Sequence, residues 1–455
     1  MVEFGGGVNF KNDLTLVTFL KEELKSAKFV SDKTRELVGK TREDIDLHLQ
    51  AKHTKELWKE LLRDAIVFLK SNDSREKHHD QMTLGLDELC KYLEEYSRFE
   101  QILYGALPNY RDHIAHTLRV MLLGDWTIRG TFGFANVAPK KNGPNNTDEE
   151  KEANGLNITD EEKEAMWTIM ALTHDLGLPL QAIRGISQSV RDMLYRFGMV
   201  SVEELASGYF SQFADLSDFV LRFVSSDVIP IEKSYVLHTQ AKYYQKFLSA
   251  LSSFNHGVIS SIILMKNLVY FKESEFMMDG FKPLTRKEDA RQFLIRKEIL
   301  RAIASHSCDD IYYLSIVNFP FMLNVFDEMQ EWGRPRLMDV TKRMGSESEL
   351  FINKFDQNIV DYKIRFLFPK ELRPSDAERE SVGEEIKGYF ITKCNKWLNV
   401  LRSAVGLERN IGLRFEVVDE TPKKGTLNYV LDHKKPDDFD IQPEEIRKTI
   451  APWKT

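Results

Sequence analysis

The chain is expected to be mainly α, with an N-terminal helical region, a central helical bundle and a small C-terminal α+β module. Apolar residues recur at intervals of three and four through most of the first three quarters of the chain, the period of helices with one buried stripe. The character changes after Gly345. Val360-Asp-Tyr362-Lys-Ile364-Arg-Phe366-Leu-Phe368 alternates strictly, as does Ile411-Gly-Leu413-Arg-Phe415-Glu-Val417, which is the period of strands with one buried face. Between them a helical pattern holds Ile386, Tyr389, Phe390, Trp397, Leu398 and Leu401, so strand, helix, strand is expected there. The boundaries read as 1–100, 101–345 and 346–455.

Taken in order, the first region carries Leu57, Trp58, Leu61, Leu62, Ile66 and Leu69 on one stripe, and should pack on the helices that follow. His48, His53, His78 and His79 sit among lysines and acids without matched partners and read as surface residues. Pro139-Lys-Lys-Asn-Gly-Pro-Asn-Asn-Thr-Asp is polar and broken by glycine and proline, so it reads as a mobile excursion able to lie over a site as a lid. Thr147-Asp-Glu-Glu-Lys-Glu-Ala returns as Thr159-Asp-Glu-Glu-Lys-Glu-Ala165; in the second copy Thr159 and Glu162 form a capping box that starts a helix, and the first reads as a short solvated helix. Helical periodicity continues from 185 to 335, with Pro230, Pro283 and Pro320 at turns or first helical positions. Leu427, Tyr429 and Leu431 suit a further strand, and the tail beyond Pro436 is acidic.

At 455 residues the chain can bury a large core. Its formal charge of −7 gives no electrostatic reason to expect nucleic-acid or membrane binding. The start, Met1-Val-Glu-Phe-Gly-Gly-Gly-Val, lacks the pattern of a secretory signal, no apolar run approaches membrane-spanning length, and Cys90, Cys308 and Cys394 have no metal spacing; a cytoplasmic location follows as the expectation. In that compartment the glycosylation patterns Asn145-Asn-Thr147 and Asn157-Ile-Thr159 have no consequence. A homodimer is compatible with the composition.

The chemistry centres on His174-Asp175, at the end of the apolar run Ala165 to Leu172 and just before Gly177 and Pro179. An imidazole and a carboxylate on consecutive residues can aim at one cation where a helix ends, because the loosened backbone lets both side chains turn the same way. Upstream, His113 and His116 are three apart and share a helix face. Downstream, His256, His306 and Asp327 each sit in an apolar helical run.

The order His116, His174-Asp175, His256, His306, Asp327 resembles the HD-domain superfamily of metal-dependent phosphohydrolases, over roughly Tyr104 to Pro335. The resemblance implies an HD helical bundle in which His116, His174, Asp175 and Asp327 hold one divalent ion, and His256 and His306 add a second, with Asp175 bridging. Asp327-Glu-Met-Gln-Glu-Trp-Gly-Arg-Pro is also similar to a segment that follows the last ligand in bacterial members. Two family features are missing. The lysine that many members carry soon after the doublet is absent from His174-Asp-Leu-Gly-Leu-Pro179, and no Gly-Tyr-Pro element follows His256, which argues against cyclic-di-GMP.

A metal-dependent phosphohydrolase of nucleotides or other small phosphorylated metabolites is therefore expected. Divalent cations held by Asp175 and its partners would lower the pKa of a water until hydroxide exists near neutral pH. An imidazole-rich site suits manganese, iron, cobalt, nickel or zinc better than magnesium. Arg119, Arg184 and Arg334 lie near the ligands in sequence and are candidates for holding phosphate; His113 is a candidate general acid, or else a support for Asp112 or a ligand. Asp309 and Asp310 could orient an imidazole or belong to a solvated loop, Cys308 reads as a half-buried thiol, and His238 as structural. Two alternatives stand beside hydrolysis: a di-iron oxygenase, and a non-catalytic metal-stabilised scaffold whose C-terminal module binds a partner.

Overall fold

Leu57, Trp58, Leu61, Leu62, Ile66 and Leu69 lie buried along one side of a long helix, as their spacing requires. The computed structural model describes residues 8–71, 83–106, 113–137, 156–196, 214–231, 234–272, 287–308, 311, 317–333, 347–356, 359–368, 410–419 and 427–433. Within them the chain is mostly helical. The N-terminal helices are α1 (Leu14–Glu22), α2 (Asp32–Lys40), α3 (Ala51–Ser71) and α4 (Leu86–Ala106). Two helices follow that are buried on all sides, α5 (Ile114–Thr131) and α6 (Asp160–Thr173). Around them run α7 (Leu178–Arg196), α8 (Ala214–Ser225), α9 (Ala241–Ser252), α10 (His256–Asn267), the single turn α11 (Val269–Lys272), α12 (Lys287–Ser305) and α13 (Phe319–Met329).

Helix α6 is the axis of the bundle, packed on α3, α5 and α12. It starts at the expected capping box. The Thr159 hydroxyl accepts from the Glu162 amide at 3.2 Å, and the Glu162 carboxylate accepts from the Thr159 amide at 2.9 Å. The N-terminal region packs on this axis through α3, whose Trp58 indole donates to the Leu172 carbonyl at 2.9 Å.

One stretch read as helical is a hairpin instead. Strands β2 (Ser226–Ile231) and β3 (Ser234–Thr239) pair antiparallel between α8 and α9. Val228, Ile229, Ile231, Tyr235 and Val236 are the branched and aromatic types that favour extended backbone, and Pro230 is tolerated because each strand of a two-stranded sheet is an edge. His238 lies exposed on β3. His48 and His53, expected at the surface, are half-buried: His53 Nε2 lies 2.9 Å from the Thr41 hydroxyl, and His48 Nδ1 lies 3.1 Å from Arg119 Nη2.

A five-stranded sheet runs in the order β1 (Val8–Phe10), β4 (Glu347–Phe355), β5 (Ile359–Phe368), β6 (Asn410–Asp419), β7 (Leu427–His433). Strands β5, β6 and β7 stand where alternation placed them, and β5 and β6 are parallel, as strand, helix, strand demands. Two strands were not foreseen. In β4 the register shifts between Ile352 and Lys354, which breaks the alternation, and β1 has only three residues. Because β1 comes from the N-terminal segment, the sheet draws on both ends of the chain. Its inner face, with Leu350, Ile352, Phe355, Val360, Tyr362 and Ile364, packs on the helices; Phe355 stacks between Phe132 and Phe326.

The stretch 139–148, the first copy of the repeated heptad, His78, His79, Asp309, Asp310, Cys394, the helix expected between β5 and β6, and the acidic tail lie outside the described residues. Among the described residues no single helix is long and apolar enough to cross a membrane.

Candidate metal centre

Helix α6 ends at His174, its C-cap, so the last carbonyls of the helix have no intrahelical donor. Side chains from three other helices supply donors there. Trp58 of α3 serves the Leu172 carbonyl at 2.9 Å, Ser260 of α10 serves the His174 carbonyl at 2.6 Å, and Tyr92 of α4 serves the Leu176 carbonyl at 2.6 Å. Thus fixed, the backbone leaves the helix and the doublet turns inward, with His174 fully buried and Asp175 nearly so.

The six groups singled out in the sequence meet here, in two sets that share Asp175 and could each hold a metal ion: His116, His174, Asp175, Asp327, and Asp175, His256, His306. Asp175 divides its oxygens between them. Its Oδ2 lies 3.4 Å from His174 Nε2 and 3.7 Å from His116 Nε2, while Oδ1 lies 3.4 Å from His256 Nε2 and 3.8 Å from His306 Nε2. Asp327 Oδ1 closes the first set, 2.9 Å from His116 Nε2 and 3.6 Å from His174 Nε2. His256 and Asp327 are the most exposed members, at 17% and 21%, and mark the side that faces solvent.

Each imidazole is turned by an acceptor behind it. The Nδ1 of His174 donates to the Ala171 carbonyl at 2.8 Å and that of His306 to the Ile303 carbonyl at 2.7 Å. The Nδ1 of His116 donates to Gln330 Oε1 and that of His256 to Gln181 Oε1, both at 2.6 Å. The amide orientations are set independently: Gln330 Nε2 donates to the Trp332 carbonyl at 2.7 Å, and Gln181 Oε1 also receives the His256 backbone N–H at 3.1 Å. With Nδ1–H bound behind, the neutral form of each ring would present its Nε2 lone pair to the centre.

That arrangement calls for a cation. His256 Nε2 and His306 Nε2 face each other at 3.0 Å as two acceptors, and His174 Nε2 is buried without a hydrogen-bond partner. Lone pairs held this way are costly unless a positive centre sits among them. Four imidazole nitrogens and two carboxylates are the donors of a mixed nitrogen and oxygen metal site, so the residues fit divalent ions.

The second set depends on a close approach of α10 and α12. A Cβ on Gly257 would lie 2.5 Å from the Ile303 carbonyl oxygen and 3.0 Å from His306 Cε1. Only glycine therefore lets His256 and His306 meet. Asn255, the N-cap of α10, ties the two helices together. Its Oδ1 accepts from the Ser307 hydroxyl at 2.8 Å and from the amides of Gly257 and Val258, and its Nδ2 donates to the Ser307 carbonyl at 2.8 Å. Phe254, just before it, adopts φ of 58° where the chain turns 97° from α9 into α10. That left-handed conformation is unfavourable for phenylalanine.

Burial alone would raise the Asp175 carboxyl, but His174, His306, His113 and His256 around it hold it well below the usual range. Asp327 is held well below as well: burial opposes its charge, and the imidazoles of His116 and His174 outweigh it. His174 is pushed up to about 9, the two carboxylates overcoming its burial, whereas burial and the neighbouring His306 push His256 down to about 3. A cation entering the site takes the place of protons on such imidazoles, so metal uptake releases protons.

His113 faces the same cluster. It caps α5, its Nε2 is 4.0 Å from Asp175 Oδ2, its ring stacks on Tyr96, and its Nδ1 lies 3.1 Å from Glu100 Oε1. Asp112, its other expected partner, lies outside the described residues. The structure does not leave Arg119 free for phosphate: it is fully buried, with Nε and Nη2 on the two carboxylate oxygens of Asp13, each at 2.7 Å, and Nη1 on the Gly333 carbonyl at 2.7 Å. The side chain of Arg184, on α7, and the whole of Arg334 lie outside the described residues. Cys308 is buried rather than half-buried, and its thiol donates to the Ala304 carbonyl.

Sequence reasoning missed Gln181, Gln330 and Glu100, which hold imidazoles from behind, and Asn255, which ties α10 to the end of α12. Only Asn255, directly before a histidine that opens a helix, carries a local signal, that of an N-cap.

No family model matches the chain, and neither a curated protein nor a solved structure matches it.

Proposed function

We propose that this chain is a metal-dependent phosphohydrolase of the HD type, acting on nucleotides or other small phosphorylated metabolites. What supports this reading is the convergence of four imidazole Nε2 atoms on Asp175 and Asp327, in the ligand order of the resembled family, with Asp175 turning one oxygen to each set. His116, His174, Asp175 and Asp327 would hold one divalent ion, and Asp175, His256 and His306 a second. Such ions supply Lewis acidity toward phosphoryl oxygens and acidify water.

The chain's own residues do the rest. Gln330, Gln181 and the carbonyls of Ala171 and Ile303 hold the Nδ1 proton of each imidazole and aim its Nε2 inward, and the carboxylates of Asp175 and Asp327 are the anionic donors. Because Asp175 and Asp327 are the two carboxylates among the six donors, two bound divalent ions would leave an excess of positive charge, which would suit a phosphate and offset the missing lysine. Glu100 accepts the Nδ1–H of His113, so it is the Nε2–H of the His113 imidazolium, on the Asp175 side, that would pass to the leaving oxygen and leave the neutral ring. Arg184 and Arg334 are the remaining candidates for phosphate.

The test is phosphate release from a panel of nucleotides and aryl phosphate mono- and diesters in the presence of manganese, iron, nickel, cobalt or zinc. Hydrolysis that vanishes in Asp175→Ala supports the reading; activity that survives that change places the chemistry elsewhere. The same donor set suits iron, so a di-iron oxygenase is the second reading. Oxygen uptake by iron-loaded protein with a phosphate-free substrate, and no phosphate release, would favour it.

A further inference from the structure

We infer that Asp13, at the start of α1, is a remote positioning residue of the first metal set, acting on His116 through two hydrogen-bonded arms. The inference rests on the metal-centre part of the reading above and not on the reaction.

One arm runs through helix α5. Asp13 Oδ1 accepts from Arg119 Nε and Oδ2 from Arg119 Nη2, each at 2.7 Å. Arg119 stands just under one helical turn after His116, so a charge-assisted grip on its guanidinium holds the rotation of the ligand helix. The other arm runs through the segment after α13. Asp13 Oδ1 also accepts from the Trp332 indole at 3.1 Å; the Trp332 carbonyl accepts from Gln330 Nε2 at 2.7 Å; and Gln330 Oε1 accepts from His116 Nδ1 at 2.6 Å. The arms meet at His116 and close a ring. Asp327, the second ligand contacting His116, lies three residues before Gln330 on the same α13 turn, so it is tied to the same ring.

The hub is anchored from outside. Asp13 Oδ2 accepts from the Leu47 amide at 2.8 Å, and Arg119 Nη1 donates to the Gly333 carbonyl at 2.7 Å. Phe10 of β1 packs edge-on to Trp126 and stacks on Trp332 at 5.2 Å, while Ser348 of β4 donates to the Glu331 carbonyl at 2.8 Å. The sheet and the N-terminal segment thereby grip the residues that follow the last ligand. Asp13 and Arg119 are both sealed from water, at 1% and 0% exposure. There a charge-assisted pair keeps its geometry without competition from solvent. The two rings of the second set are held instead by Gln181, on His256, and by the Ile303 carbonyl, on His306.

The experiment is a zinc titration of the full chain followed by calorimetry and by competition with a chelator, which resolves the two affinities. Three variants are compared with the parent: Trp332→Phe, which removes the indole N–H together with part of the buried ring; Gln330→Leu, which cuts the arm at His116; and Asp13→Asn combined with Arg119→Met, which removes the buried pair without leaving an unpaired charge. Affinity of one ion should fall about 10-fold to 100-fold in Gln330→Leu and about 10-fold in the double variant, with the other ion unchanged. Trp332→Phe should show a smaller loss in the same ion. Unchanged affinities in folded variants, with only the midpoint of thermal unfolding lowered, would overturn the inference. A loss spread equally over both ions would overturn it too. A parent protein that binds no zinc would overturn both the metal-centre reading and this one, whereas a parent that binds two and hydrolyses nothing leaves the inference intact.

Discussion

Replacing Gly257 with alanine sets two effects of opposite sign against each other. In a helix, alanine is favoured over glycine by about 1 kcal/mol, so propensity alone predicts a more stable protein. The added Cβ would sit 2.5 Å from the Ile303 carbonyl oxygen, 2.8 Å from Ser307 Oγ and 3.0 Å from His306 Cε1. The serine hydroxyl can turn away, but the carbonyl belongs to the backbone of α12 and the imidazole is fixed by its own hydrogen bond. Restoring ordinary contact moves α10 and α12 apart by about 1 Å, at a cost of about 1–3 kcal/mol for overpacking, so steric strain wins. The same shift opens the 3.0 Å separation of His256 Nε2 and His306 Nε2, on which the second metal set depends. Urea unfolding of the metal-free protein should show a net loss of up to about 2 kcal/mol, and zinc titration should show the second ion weakened and the first retained. A variant as stable as the parent, with both ions bound as before, would refute the close-approach reasoning.

Four other outcomes are expected. Glu164 is pushed up to about 8 by burial, the Asp125 carboxylate adding to the effect, although both bond to Arg129. Its folded pKa is raised, so the protonated form stabilises the fold at low pH, and that contribution is lost as pH rises from the ordinary glutamate range through 8; Glu164→Gln should flatten this loss in unfolding curves taken from pH 5 to 9. Trp58→Phe leaves the Leu172 carbonyl without its donor and should cost about 1–3 kcal/mol in urea unfolding. Glu100→Gln weakens the support of His113 and should lower turnover about 100-fold with metal content unchanged, since Glu100 belongs to neither ligand set. Removing metal with a chelator should lower the unfolding midpoint, and adding zinc back should restore it in a concentration-dependent way.

The helical character, the end of α6 at the doublet and the three later strands were legible because each rests on local periodicity or on a cap. Thr159 and Glu162 sit three apart, and Tyr362 and Ile364 alternate with charged residues, so neighbours along the chain carry the signal. The six donors were legible as an ordered set of polar residues in apolar runs. The acceptors behind them were not, because Gln330 and Gln181 have nothing in sequence to distinguish them from surface glutamines until two helices bring them against an imidazole. Arg119 shows the converse error. Its place near His116 suggested substrate, but its partner, Asp13, lies 106 positions away, and only the fold joins them. The β2–β3 hairpin was lost for a different reason: an apolar run this short does not separate strand from helix by period.

The metal content of the purified protein, measured by elemental analysis beside Asp175→Ala, is the most direct test of the centre, because Asp175 is the one residue common to both ligand sets. About two transition-metal ions per chain in the parent, and a loss of both in the variant, is the expected result. No bound metal after incubation with manganese, iron or zinc, or a content unchanged in Asp175→Ala, would contradict it.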